Sequence, residues 1–515
     1  MRDRRSRKRG EHTGRGRAFP IPETSFPEIR PSNGKVALIE GALRVTYGQL
    51  DERIGLAAAA LLGGGADLAE ERIAFFLPAS VDYVTAMHGV WRAGGIAVPL
   101  NVASTIPELE HYLSCARATR LIARERDHGF LGDLCARLGI RLIEVDELAA
   151  GSPVPLPEIG AERRALMIFT SGTTNKPKGV VSTHATLRAQ IAALLDAWEW
   201  SGEDSIPLFL PLHHIHGIVN VLSCGLWAGA RVHLFEKFDM PAIAGEVAAG
   251  AYSLFMAVPT IYVKMLQHLD SLDEAEARRI AEGFAAMRLN VSGSAACPVP
   301  LFEKWRERTG QVLLERYGMT EIGMALSNPY RGERRAGHVG QPLPGVEVRL
   351  AGEGGEIVSE EGQPGEIHVR GPNVFLEYWD NPEATRASFT DDGWFRTGDM
   401  AVVEDGSYRI MGRSSVDIIK SGGYKLSALE IEGVLLDHEA IAEIAVIGVE
   451  DETWGEAVAA FIVPGEGAEL THEALKDWCG GRLSAYKIPK LVKFVDALPR
   501  NAMGKVTKPE LKALL

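Results

Sequence analysis

The sequence predicts an α/β protein in which parallel sheet wrapped by helices is followed by a small β-barrel or meander and then by a compact α+β unit. Three observations carry this. From about residue 20, short apolar or β-branched runs alternate with helical patterns, the order expected of parallel strands joined by crossover helices. Between about Arg334 and Thr397 the texture changes to short strands broken by Gly and Pro, as in PLPGVEVRL and GEIHVRGPN. After Gly412-Arg413 a second helix–strand pattern runs over roughly a hundred residues to the end.

The elements follow in order. Thr46 and Gln49 form a capping box ahead of a helix whose Leu50, Ile54, Ala57 and Leu61 share one face, and RIAFFL at Arg72 to Leu77 reads as the next strand. Ser80 caps a helix with Val84, Met87 and Trp91 on one face, which Gly94-Gly95 ends before the strand IAVPL. Near the C-terminus, Ser427 and Glu430 form another capping box, followed by the strands EIAVIGV and AVAAFIV and a final helix. No internal repeat is present.

The 515 residues, 46% hydrophobic and 24% charged, are enough for more than one domain. A net charge of -13 argues against general nucleic-acid binding, which needs a basic face. Cys115, Cys135, Cys224, Cys297 and Cys479 are scattered without a CxxC pair, so neither a disulfide framework nor a zinc site is expected. A reducing compartment, the cytoplasm, is the expected location. No run approaches the ~20 apolar residues of a membrane helix, and no secretory apolar core opens the chain. Residues 1–19 read as a disordered basic arm; Asp3, Glu11 and the lack of an apolar face make it a poorer match to a presequence for the mitochondrial matrix.

The chemistry starts at Thr170-Ser171-Gly172-Thr173-Thr174-Asn175-Lys176-Pro177-Lys178-Gly179, between the apolar run ALMIF and the strand-like VVST. Hydroxyls, backbone N–H groups freed by Gly and two lysines suit a polyphosphate. A P-loop would need GxxxxGK[ST] leading into a helix, and this segment has neither. It resembles the phosphate loop of the adenylate-forming superfamily, which includes acyl-CoA synthetases, peptide-synthetase adenylation domains and beetle luciferases. Four further motifs fit in order: Ser292-Gly293-Ser294-Ala295, Tyr317-Gly318-Met319-Thr320-Glu321, Thr397-Gly398-Asp399 with Gly412-Arg413, and Pro499 to Lys505.

The resemblance implies a fold and a set of roles. The N-terminal domain, residues 20–411, would contain two parallel α/β-sheet subdomains plus the small β-barrel, and residues 412–515 would be a mobile α+β lid. Thr170, Ser171, Gly172, Thr173, Thr174 and Lys178 would bind the phosphates of ATP. Gly293, Ser294 and Ala295 would face adenine against Tyr317, Thr320 would contact the α-phosphate, and Glu321 would hold Mg²⁺. Asp399 and Arg413 would take the ribose. Lys505 would reach the reacting phosphate during adenylation, where a cation offsets the growing charge. With the lid rotated about a hinge near Ser415 to Asp417, Ser421, Gly422 and Gly423 would line the tunnel for coenzyme A.

Pro211-Leu212-His213-His214-Ile215-His216-Gly217 resembles the segment whose histidine gates the carboxylate site, with His214 at the gate. His216, where an aromatic residue is commoner, adds a polar group able to carry positive charge. Arg288, on the strand-like MRLNVSGSA, requires a negative partner if buried. That partner is either a structural acid or a second carboxylate on the substrate. HHIHG, RLNVSGSA and ERYGMTEIGMALSNPYRGERRAGHVGQPLPGV are most similar to malonyl-CoA synthetases. The expected reaction is therefore ATP-dependent ligation of malonate, or methylmalonate, to coenzyme A through an acyl-adenylate. The alternatives are an aryl or medium-chain monocarboxylate ligase and transfer to a carrier-protein thiol, although no carrier domain is evident after residue 500.

Overall fold

The computed structural model describes residues 34–170, 177–414, 416–421, 424–451, 455–480, 482–500 and 506–515. The basic arm lies outside them.

Helix formation follows the expected caps at the N-terminal end. Thr46 and Gln49 bond each other reciprocally, and the helix Tyr47–Leu62 buries Leu50, Ile54, Ala57 and Leu61. Ser80 accepts the N–H of Tyr83 at the start of Val81–Arg92. At Ser427 only half of the expected box forms. Its hydroxyl accepts the Glu430 N–H, but the Glu430 carboxylate is drawn instead to Lys487.

Two α/β sheets carry parallel strands. In the first, Ile96–Pro99, Arg72–Phe76, Arg120–Ala123 and Arg141–Glu144 run parallel, and Ile96–Pro99 also pairs in parallel with Arg164–Thr170. Arg164–Thr170 and Lys178–Thr183 form an antiparallel hairpin, with Glu377–Tyr378 pairing beyond it at the edge, so both flanks of the phosphate loop are fixed by the sheet. In the second region, Ser205–Leu208, Arg231–Leu234 and Val36–Glu40 run parallel. Beside them Leu254–Ala257, Leu289–Ser292 and Leu314–Met319 form another parallel set, which turns antiparallel at Gly323–Ser327. Trp91, Trp198, Trp200 and Trp305 are fully buried in the core between these layers and their helices.

The Gly- and Pro-broken region is an open antiparallel sheet ordered Ile357–Val358, Glu347–Ala351, Gly365–Arg370, Phe395–Glu404 and Ser407–Arg413. Among the described residues no pairing joins its two edges, so of the small barrel or meander expected, the sheet is open, and Gly365–Arg370 pairs with Glu347–Ala351 rather than with the preceding strand as in a simple meander. Bulges at Glu366/His368 and Met400/Ala401 break its ladder. The last sheet, Tyr424–Ser427, Ile418–Ser421, Gly455–Pro464 and Ile441–Asp451, with Leu491–Phe494 added to Gly455–Pro464, has apolar clusters of its own. No described helix is long and apolar enough to cross a membrane.

Candidate active site

The motifs converge because the second parallel set delivers them from neighbouring strand ends. Strand Leu289–Ser292 leads into Gly293, Ser294 and Ala295. Strand Leu314–Met319 carries Tyr317 and ends at Thr320 and Glu321. Gly318 is required locally, since a Cβ there would lie 2.0 Å from the Gly323 carbonyl oxygen. Ser294 holds a left-handed backbone, φ 68°, and is exposed together with Ala295. Strain of this kind is characteristic of functional turns.

Around the nucleotide motifs the side chains form a connected polar group. The Tyr317 hydroxyl donates to Asp399 Oδ2 at 2.5 Å, and Arg413 Nε stands 3.3 Å from Asp399 Oδ1. Asp399 and Arg413 are paired across the strands Phe395–Glu404 and Ser407–Arg413. Burial raises the Asp399 pKa and the Arg413 charge opposes the rise. Glu321 is buried, and its carboxylate accepts a bond from the Tyr378 hydroxyl at 2.9 Å. Lys178 lies 4.8 Å over the Tyr378 ring, bringing the last lysine of the phosphate loop to the same place. Burial raises the pKa of Glu321, while Tyr378, Arg413 and Lys178 oppose it. Thr320 is half-buried beside it, and Thr170 closes the loop hairpin opposite Lys178. Ser171, Gly172, Thr173, Thr174, Gly422, Gly423, Ser415 and Lys505 lie outside the described residues. Ser421 is buried at the end of Ile418–Ser421.

A second polar group lies where the acid should bind. The segment His216–Ser223 is a π-helix, an uncommon form frequently placed at functional sites. His216 is buried, and its Nδ1 is 3.1 Å from the Ser294 hydroxyl. His214 and His213 approach each other with ring centroids 4.1 Å apart. Burial, with Arg316 and His214 adding to it, pushes the His216 pKa well below the ordinary value, which disfavours the positive charge expected of it. Arg316 is a cation nearby. This residue is buried and its Nε and Nη2 have no hydrogen-bond partner among the described residues. Burial lowers its pKa to about 10, which still leaves it charged at neutral pH. A Cβ at Gly293 would fall 2.4 Å from the guanidinium carbon, so glycine makes room for it beside the adenine turn.

Arg288 does not join this group. Its Nε and Nη2 hold Asp204 Oδ1 and Oδ2, each at 2.7 Å, its Nη1 donates to the Trp198 carbonyl at 2.8 Å, and it stacks 5.2 Å over Tyr330. The assignment to a substrate carboxylate is therefore corrected: the fork is fully used by a structural acid. Replacing Arg288 by alanine is expected to strand the buried Asp204 and cost about 3 kcal/mol in denaturant unfolding, with the acid preference unchanged.

Arg316, Tyr378 and Glu315 were not singled out from the sequence. Arg316 carried one usable signal, a charge inside an apolar strand directly before Tyr317. Glu315, on the opposite face, accepts the Gly337 N–H at 2.8 Å, and burial raises its pKa to about 8. A folded-state pKa raised above the unfolded one gives stability that is complete at low pH. It is lost as pH rises from the ordinary glutamate value of 4.5 through about 8. Denaturation midpoints of Glu315→Gln should lack the part of that decline due to Glu315.

Comparison with known proteins gives the family. The AMP-binding enzyme pattern covers residues 28–379, and the AMP-binding enzyme C-terminal domain pattern covers residues 430–505. The chain belongs to the AMP-binding enzyme family. Within the family it is 45% identical over 476 residues to the mitochondrial malonate–CoA ligase ACSF3 of Mus musculus, covering 86% of this chain and 82% of the relative. The ATP-bound MatB from Rhodopseudomonas palustris superposes with a TM-score of 0.85 at 33% identity, covering 93% of this chain and 95% of MatB. A malonyl-CoA ligase solved as a ternary product complex with methylmalonyl-CoA and AMP superposes with a TM-score of 0.67 at 38% identity, covering 94% of this chain and all of that one.

Proposed function

We propose that this family member is an ATP- and Mg²⁺-dependent malonate:CoA ligase, with methylmalonate as a second substrate. The observation that carries the choice of acid is Arg316, a buried guanidinium whose Nε and Nη2 have no hydrogen-bond partner among the described residues, placed beside Gly293, Ser294 and His216. Burying an uncompensated cation is expensive, so a ligand anion is the expected counter-charge. The first carboxylate of malonate reacts; the second meets Arg316, with neutral His216 and Ser294 offering hydrogen bonds. The malonate–CoA ligase relatives support the same reading.

In the first half-reaction a carboxylate oxygen attacks the α-phosphorus of ATP. The bond to the β-phosphate bridging oxygen breaks, and pyrophosphate leaves with the electron pair. Thr170, Ser171, Gly172, Thr173, Thr174 and Lys178 hold the phosphates, Thr320 orients the α-phosphate, and Lys505 offsets its charge. Tyr317 and the turn Gly293 to Ala295 enclose adenine, and Asp399 with Arg413 accepts the ribose. Glu321 would supply the hard oxygen donor that Mg²⁺ requires, and a bound cation would relieve the penalty of its burial while neutralising phosphate charge. In the second half-reaction the sulfur of coenzyme A attacks the acyl carbon, its proton is lost and AMP departs. Residues 412–515 then act as a lid on the domain 20–411, bringing Ser421, Gly422 and Gly423 to the CoA tunnel and opening or closing the approach guarded by His214. The five free thiols suit the reducing cytoplasm.

Exchange of labelled pyrophosphate into ATP, driven by malonate, methylmalonate, acetate, butyrate, octanoate or benzoate in turn, tests the reading. Malonate should give the fastest exchange, followed by methylmalonate. Preference for octanoate or benzoate would replace malonate by a monocarboxylate.

A further inference from the structure

Lys508 is a buried cation that the reaction as described does not use. Its ammonium is 2.5 Å from Asp417 Oδ1 and 2.7 Å from Glu432 Oε1, and none of the three side chains is more than 14% exposed. Glu432 is fixed in turn by the Val446 N–H at 2.7 Å. Asp417 uses its other oxygen to accept the Arg413 N–H at 3.0 Å, and Arg413 Nε approaches Asp399. A continuous series of contacts thus runs from the ribose carboxylate, across the segment expected to hold the hinge, to Lys508.

Lys508 follows Lys505 by three positions. Both flanks of the Lys505 segment are secured. Arg500 and Val506 form an antiparallel bridge, Thr507 N–H donates to the Pro499 carbonyl at 2.8 Å, and Arg500 pairs with Glu443 at 2.7 Å. Leu498 and Leu511 pack with Phe461 in one small core. Net stability is a weak reason for such a cluster, because replacing buried ions with apolar groups is often neutral or favourable. Position is a stronger one, since the fork of contacts defines where the tail sits against Asp417 and Arg413.

We propose that Lys508 is a positioning residue for adenylation: through Asp417 it sets the Lys505-bearing tail relative to Arg413 and the ribose carboxylate, and it takes no part in thioester formation. This rests on the proposed reading of the chain as an acid:CoA ligase whose Lys505 serves the first half-reaction.

Lys508→Met in the full-length enzyme keeps the aliphatic length and removes the charge. Two exchanges separate the half-reactions: acid-dependent exchange of pyrophosphate into ATP, and AMP-dependent exchange of labelled CoA into malonyl-CoA. The first should fall about 10²-fold, the loss typical of a small misplacement of a reacting group, while the second stays near wild type. Lys508→Arg should recover most of the first. An equal fall in both exchanges, or in neither, overturns the proposal. If the methionine variant does not fold, Glu432→Gln is read by the same ratio, and an equal effect on both exchanges again overturns it. Should the wild type prefer another acid, the ratio is measured with that acid and its acyl-CoA, so the assignment of malonate and this inference fail separately. Absence of exchange from the wild type with every acid would instead remove the ligase reading.

Discussion

Arg316→Leu is expected to lower kcat/KM for malonate by about 10⁴-fold while kcat/KM for butyrate rises, because the site loses the charge that the second carboxylate requires. Arg316 is buried and two of its nitrogens lack a partner among the described residues. Leucine removes an expensive buried cation, so the folded protein should be no less stable, and the loss can be read as recognition rather than unfolding. Arg316→Lys should retain part of the activity, since a point charge replaces a planar fork. Steady-state kinetics with the two acids, together with denaturant midpoints, check both parts. An unchanged ratio between malonate and butyrate would remove Arg316 from the acid pocket.

Lys505→Ala is expected to slow malonate-dependent pyrophosphate exchange by about 10²- to 10³-fold and to leave AMP-dependent CoA exchange nearly intact. The asymmetry follows from charge. Adenylation builds negative charge at the α-phosphate as pyrophosphate departs, whereas the attack of sulfur on the acyl carbon places it elsewhere. Equal losses in both half-reactions would give Lys505 a general structural role.

Much of the nucleotide site was legible because its demands are local. Phosphate binding needs a short run of hydroxyls, glycine and lysine, and Tyr317 to Glu321 lie within one strand and its turn. The meeting of Tyr317 with Asp399, and of Glu321 with Lys178 through Tyr378, follows the motif order although these residues are far apart in the chain. The acid pocket was less legible because it depends on which buried charge already has a partner. Arg288 and Arg316 both sit by apolar strands. Asp204, which decides between them, is separated from Arg288 by 84 residues and carries no motif. His216 was visible as a polar intrusion, but its neutrality depends on burial and on Arg316 nearby. Whether this sheet closes was also beyond sequence patterning, since short strands broken by glycine and proline fit a closed or an open sheet equally well.

Identifying the products that the purified protein makes from ATP, Mg²⁺, coenzyme A and malonate decides whether it is a malonate:CoA ligase. AMP, pyrophosphate and malonyl-CoA are expected in equal amounts, with no product when malonate is omitted. Formation of ADP and phosphate, or AMP formation without any acyl-CoA, would contradict it.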